Sequence, residues 1–461
     1  MTSLPRRDFL RQAGGLGFVA AQWLYATEGR AATHHPAKAK RVIQLFMNGG
    51  ASQMDLFDYK PELEKRHGQK FDPGGGVRVE AATSVPGMIL KPPAPLRQHG
   101  KSGRWVSDLL PNMAKHVDDM AFLMSIKSRT NVHGPASYLM NTGFLLPGFP
   151  CFGSWVSYGL GRLTDDLPTF VVLPDPRGLP YNGKGNFSSG FLPVTHQGTV
   201  IDLGKPEPLP FLAGPGKAMT PDATRDGLKL LEELNRDHAA RNPGDTRLDG
   251  RIKSYELAAR MQVQAPEAFD LSKETAATKT LYGVGAPATD DFGKRCLLAR
   301  RLIERNVRFV QVWSGAGGPS NNWDNHTSMS KELPPICKAT DQPIAALLTD
   351  LKARGLLDDT LVLWNTEFGR MPFTQGADGR DHNGGTSVGW MAGAGVKAGV
   401  AHGQSDEWSW KAGKNAVTNY DFHATVLHLL GIDHEKLTVR HDGSDRRLTD
   451  VHGEVIEEVL K

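Results

Sequence analysis

Apolar runs of strand length recur along this chain, and each is separated from the next by residues with helical spacing. The runs are Arg41–Met47, Met120–Ser125, Thr169–Leu173, Val307–Trp313 and Leu361–Trp364. Runs so short and so continuously apolar suit strands covered on both faces. Between them, Phe292, Cys296, Leu298, Leu302 and Ile303 fall on one side of a helix spanning Asp290–Arg305. A second helix is expected over Gln342–Arg354, capped by Gly355, and a third over Asp421–Leu430, stopped by Gly431. Val388–Ala394 reads as a further, glycine-bearing strand. Strand and helix in alternation predict an α/β fold with a mostly parallel central sheet and helices on both faces.

In a sheet of that kind, ligands bind in the loops beyond the carboxyl ends of the strands. Four of the runs empty directly into polar residues. Gly49, Gly50 and Asp55 follow the first, His133 the second, and Asp324 with His326 the fourth. The last leads into the richest stretch, Leu361–Asn383, which carries Glu367, Arg370, Asp381 and His382 among Gly369, Gly376 and Gly379. An isolated Asp or His is most often a cap, a turn former or a structural hydrogen bonder. The same pattern at four strand ends of one sheet edge is expected to bring these groups together. Carboxylates and imidazoles in one place suit one or two divalent ions, Zn²⁺ or Mn²⁺, or Ca²⁺ for an oxygen-rich subset. Arg370, Arg129 and Arg380, with Asp381, are the candidates to contact an anionic substrate.

Composition narrows the field. At 461 residues with 39% hydrophobic and 23% charged residues, the chain can bury a large core. A net charge of +4 without a basic-helix, zinc-finger or RRM signature argues against nucleic acid as partner. The three cysteines, Cys151, Cys296 and Cys337, include no CxxC and are expected as core thiols. Residues 1–32 read as a twin-arginine signal peptide, with Arg6-Arg7-Asp8-Phe9-Leu10, a mild apolar stretch Ala13–Ala26, and small residues at Gly29, Ala31 and Ala32 for cleavage. The apolar stretch is too short to span a bilayer. The expected mature protein, residues 33–461, is therefore periplasmic or at the cell surface and has no membrane span. Residues 174–280, rich in Gly, Pro and Asn before turning helical, read as an insertion covering one face of the sheet.

Eight motifs make the chain resemble the DUF1501 family, which is related to the alkaline phosphatase/sulfatase superfamily. They are QLFMNGGASQMDLFDYKP, HGPASYLMNTG, FGKRCLLARRLIERNVRFVQV, WDNH, TEFGRMP, GRDHN, DFHATVLHLLG and GSDRRLTDVHG. The resemblance implies that Asp55 stands at the superfamily's first metal-binding aspartate, and that Glu367 and Phe368 stand where sulfatase-like proteins place Asp and His or Asn. It likewise implies that Asp324, His326 and His382 are metal ligands. His133 falls where sulfatases carry the residue that becomes the nucleophile, with Pro135 on the motif's proline and Ala136 and Ser137 replacing its Ser and Arg. A formylglycine is impossible at a histidine. The resemblance thus implies a hydrolase of phosphate or related sulfate esters, small or on a polysaccharide, with His133 as nucleophile or base. The other reading is an exported binding protein for an anionic polysaccharide that keeps the fold without turnover.

Overall fold

The computed structural model describes residues 33–77, 79, 83, 85–209, 221–241, 266–318 and 322–461. The leader expected at 1–32 and part of the insertion expected at 174–280 lie outside the described residues. The central sheet is built from β1 (Arg41–Met47), β2 (Met120–Lys127), β3 (Phe170–Leu173), β4 (Thr199–Val200), β5 (Phe309–Ser314), β6 (Thr360–Asn365), β9 (Ser387–Gly393), β10 (Ala401–His402) and β11 (Val417–Thr418). Its order is β10-β2-β9-β6-β1-β5-β3-β4, with β11 also paired to β2. All neighbours are parallel except β9, which runs against both β6 and β2.

Side-chain alternation sorts the strand residues into two cores. Ile43, Leu45, Val310, Val312, Val362 and Trp364 face α4 (Asp290–Glu304) and α5 (Met329–Ala353). Val42, Phe46, Phe309, Trp313, Leu361 and Leu363 face α3 (Phe152–Leu160) and α6 (Asn419–Leu429). This is the period of two expected for a strand, with every residue of β1, β5 and β6 buried.

Three elements differ from the sequence-based expectation. The helix expected at Gln342–Arg354 begins earlier, at Met329, and α5 carries Pro334, Pro335 and Pro343 internally. Proline removes a helical hydrogen bond and so reads as a stop. Leu109–Val117, whose sequence also suggests a helix, holds instead a 3₁₀ segment, Met113–Asp119. Most consequentially, the stretch after β6 is not an open loop. It folds into an antiparallel hairpin of β7 (Gly369–Thr374) and β8 (Arg380–Asn383) standing beyond the sheet edge. From its end the chain descends directly as β9. A return without a crossover must run antiparallel, which explains the one reversed strand.

The sheet also carries buried amides. Gln44 Nε2 donates to Asn365 Oδ1 at 3.3 Å, and Gln311 Nε2 donates to Gln44 Oε1 at 3.1 Å and to Asn141 Oδ1 at 2.8 Å. Left unpaired, such a buried amide would cost about 1–3 kcal/mol. Paired, these amides dock α2 (His133–Thr142) against β1 and β5 through Asn141 and so fix where its first residue, His133, stands.

A second tie holds α2 from the other side. His423 of α6 is fully buried and donates from Nε2 to Met140 O at 2.9 Å. Burial pushes this imidazole down to about 4, against the opposing pull of the Met140 carbonyl. It therefore stays neutral in the fold where the unfolded chain would already take up a proton, below about 6.5. Its stabilising contribution is present above that pH and is lost as pH falls toward 4. Urea unfolding at pH 7 and pH 4.5 should show His423→Gln losing about 2–3 kcal/mol less stability between the two than the wild type.

Candidate metal centre

Four side chains converge beyond the carboxyl edge of the sheet. His133 Nε2, Asp324, His326 Nε2 and His382 Nε2 offer ligand atoms all within 4.8 Å of one another. The pivot is Asp324 Oδ1, which lies 2.7 Å from His326 Nε2, 3.2 Å from His133 Nε2, 3.3 Å from His382 Nε2 and 2.6 Å from Arg370 Nη2.

Each residue owes its place to a particular backbone feature. His133 opens α2, entered from an extended Val132 with Pro135 in the first turn. Asp324 and His326 lie on the excursion after β5, where Trp323 N donates to Asn48 O at 3.0 Å. Gly49, at φ +117°, lies against the same excursion, and a Cβ there would sit 2.6 Å from Asp324 N. Only glycine permits both that backbone angle and that approach. His382 comes from β8, opposite Arg370 of β7.

Every imidazole of the cluster has its Nδ1 committed outward. His133 Nδ1 donates to Glu367 Oε1 at 2.7 Å, His382 Nδ1 donates to Asn131 O at 2.8 Å, and His326 Nδ1 donates to Gln375 Oε1. With each Nδ1 engaged outward, the rings turn their Nε2 atoms inward. His326 Nε2 and His382 Nε2 are 2.7 Å apart, and His133 Nε2 is buried without a hydrogen bond. Lone pairs gathered around a carboxylate oxygen repel unless a cation lies among them. Outward Nδ1 hydrogen bonds to a carboxylate or a carbonyl are the usual support of metal-ligating histidines. The donor set therefore fits a metal ion.

The electrostatics follow from burial and from Arg370. Burial works against ionisation of Asp324, but Arg370 and the three imidazoles overcome it and hold its carboxyl far below the usual range. Burial, with Arg370 and His133 nearby, pushes His382 down to about 4 although Asp324 opposes. Burial lowers His133 as well, yet the Asp324 and Glu367 carboxylates outweigh it and raise the group above its ordinary value.

The remaining expected site residues lie elsewhere. Asp55, expected among the ligands, has a side chain that is 0% exposed and is gripped by Arg380, whose Nε and Nη2 donate to it at 2.7 and 2.8 Å. Glu367, also expected as a ligand, stands one bond behind the cluster, accepting from His133 Nδ1 and from Gly49 N at 2.8 Å. His133, expected as nucleophile or base, stands inside the cluster between Asp324 and Glu367. Arg370 and Arg380 were expected to reach an anion, but their guanidinium groups are buried and committed. Arg370 donates to Asp324, Gly49 O, Gly50 O and Arg380 O; Arg380 donates to Asp55, Leu90 O and Met371 O. Asp381 is buried and accepts from Thr83 and from His382 N. Arg129 is exposed and donates to the Tyr420 hydroxyl at 3.2 Å.

Two residues that the sequence did not single out as members complete the surround. The Tyr181 ring stacks on His133 at 4.3 Å and 5°, and its hydroxyl donates to Gly318 O at 2.9 Å with Asp324 Oδ2 at 3.2 Å. Burial, reinforced by the Asp324 and Glu367 charges, raises this phenol and keeps it protonated. Phe368 packs against His133 and His382 at 4.8 and 4.9 Å. At the motif position where sulfatase-like proteins carry His or Asn, Phe368 gives this site an apolar wall. Tyr181 sits in a stretch without periodicity, so only its Gly/Pro/Asn-rich context marked it. Cys151, Cys296 and Cys337 are buried free thiols, as expected.

The fold is a mostly parallel α/β sheet with a His₃Asp cluster at its carboxyl edge, a donor set that could hold a metal ion. The chain belongs to the family described as protein of unknown function (DUF1501), which matches residues 39–460. No curated protein matches the sequence. Among solved structures, the chain is similar to the lipoteichoic acid synthase LtaP from Listeria monocytogenes, at 10% identity over 86% of this chain and 72% of that one, with a TM-score of 0.38. It is also similar to a sulfatase from Pseudoalteromonas sp., at 15% identity over 94% and 73%, TM-score 0.36. A third is the alkaline phosphatase from the Antarctic bacterium TAB5, at 9% identity over 85% and 98%, TM-score 0.34.

If Glu367 orients His133, Glu367→Gln should weaken metal affinity by roughly 10- to 100-fold in a calorimetric titration. Metal at about 100 times its Kd should stabilise the wild type by about 2.7 kcal/mol over the chelated protein in urea unfolding.

Proposed function

We propose that this chain is an exported metal-dependent hydrolase of phosphate or related sulfate esters. The observation that carries the reading is the inward convergence of three Nε2 lone pairs on Asp324 Oδ1, with every Nδ1 held from behind. His133, His326, His382 and Asp324 hold the ion. Once bound, a divalent ion polarises an ester oxygen and lowers the pKa of a coordinated water. Glu367 orients His133 and balances its charge. Phe368 and the ring of Tyr181 line the centre with aromatic surface, which limits water and strengthens the electrostatics inside. The Tyr181 hydroxyl, still protonated and bonded toward Asp324, is placed to hold that carboxylate or to give a proton to a departing oxygen. Ester chemistry is supported by the motif resemblance, and export by the twin-arginine pattern at Arg6-Arg7. Among the described residues no helix is long and apolar enough to cross a membrane.

The second reading, left open by the sequence, is a non-catalytic binder of an anionic polysaccharide. Arg370 and Arg380 spend their donors inside the protein and are not free to grip an anion of either kind. A panel of aryl phosphates, phosphodiesters and aryl sulfates with Zn²⁺ or Mn²⁺ separates the two. The hydrolase reading expects turnover that His326→Ala lowers by at least ~100-fold. Glycan binding without any turnover would reject it.

A further inference from the structure

The expectation of one or two ions can be narrowed by asking what else could bind a second one. This step rests on the metal-centre reading above. A second ion needs further carboxylates, and Asp55, Glu367 and Asp381 are the acidic residues that the sequence offered. Both oxygens of Asp55 are taken by Arg380 at 2.7 and 2.8 Å, and neither side chain has any exposed surface. Arg380 also holds Leu90 O and Met371 O, so expelling it would strand a buried guanidinium along with the carbonyls it serves. Glu367 is spent on His133 and Gly49. Asp381 is spent on Thr83 and the His382 backbone.

Arg370 adds a fixed positive charge at the cluster itself. Its Nη2 is 2.6 Å from the same Asp324 oxygen that the imidazoles face, and its Nη1 is 3.4 Å from His326 Nε2. One arginine against Asp324 and Glu367 leaves a single negative charge, which one divalent ion overcompensates. A second divalent ion would face a site already positive. We propose that this chain holds one imidazole-preferring transition-metal ion, and that the Asp55–Arg380 pair and Arg370 take up the charge a second ion would otherwise neutralise. Three nitrogens and one carboxylate suit Zn²⁺ or a neighbouring first-row ion, whereas Ca²⁺ takes six to eight oxygens.

Chelator-stripped full-length chain titrated separately with Zn²⁺, Mn²⁺ and Ca²⁺, followed by gel filtration and elemental analysis, tests this. One equivalent of Zn²⁺ or Mn²⁺ per chain is expected, with Ca²⁺ at least ~100-fold weaker. Two equivalents, or Ca²⁺ bound as tightly, would overturn the proposal. His326→Ala, altered at the most exposed member of the cluster, should lose the single equivalent while the circular dichroism of the metal-free protein stays unchanged; retained uptake by a folded variant also overturns it. One bound ion without ester turnover would leave this inference standing and reject the hydrolase. Two bound ions with turnover would do the reverse, and no uptake at all would reject both.

Discussion

A single carboxylate oxygen, Oδ1 of Asp324, is the point on which this molecule's chemistry turns. Three imidazoles and a guanidinium approach it within 3.3 Å. A carboxylate so buried would be costly if alone. Arg370 makes it tolerable, and Arg370 is in turn held by carbonyls of the β1 turn, Gly49 and Gly50, and by the hairpin residue Arg380. The centre is thus a charge balance stitched into the ends of several strands rather than a pocket added to a finished scaffold. Backing each imidazole with an outward acceptor leaves the rings no freedom to turn, which is the condition for holding a metal tightly.

The same logic explains why the sheet reverses once. Hairpin β7–β8 must stand beyond the edge to deliver Arg370 and His382 from opposite strands. Having stood there, the chain comes down beside β6 as β9. On the far side, the buried amides of Gln44, Gln311 and Asn365 meet Asn141 of the helix that begins at His133. Packing and chemistry share elements, so the placement of His133 depends on polar contacts deep in one core.

Much of this was legible in the chain. The runs at Arg41–Met47, Val307–Trp313 and Leu361–Trp364 lie in β1, β5 and β6 because continuous apolar residues leave few other options. Asp324 and His326 were visible because they follow the β5 run, and His382 because it lies downstream of the β6 run, in the stretch that folds as β8. What could not be read was depth. Spacing places His133 and Glu367 equally well at a strand end, but only coordinates show the imidazole inside and the carboxylate behind it. Arginines near such a site look like anion clamps, and burial turns Arg370 and Arg380 into internal counter-charges instead. The hairpin escaped because Pro372 and the glycines around it read as a loop, and Tyr181 because its surroundings carry no period.

The members of the centre stand at positions 133, 324, 326 and 382, with a supporting acid at 367. No short fragment of the chain holds them all. Closing loops of such length is among the later and slower events of folding, so an ion can find its complete set of donors only when nearly the whole polypeptide has reached its final topology. Cation uptake would then be a read-out of finished assembly, telling a completed molecule from one that is merely compact.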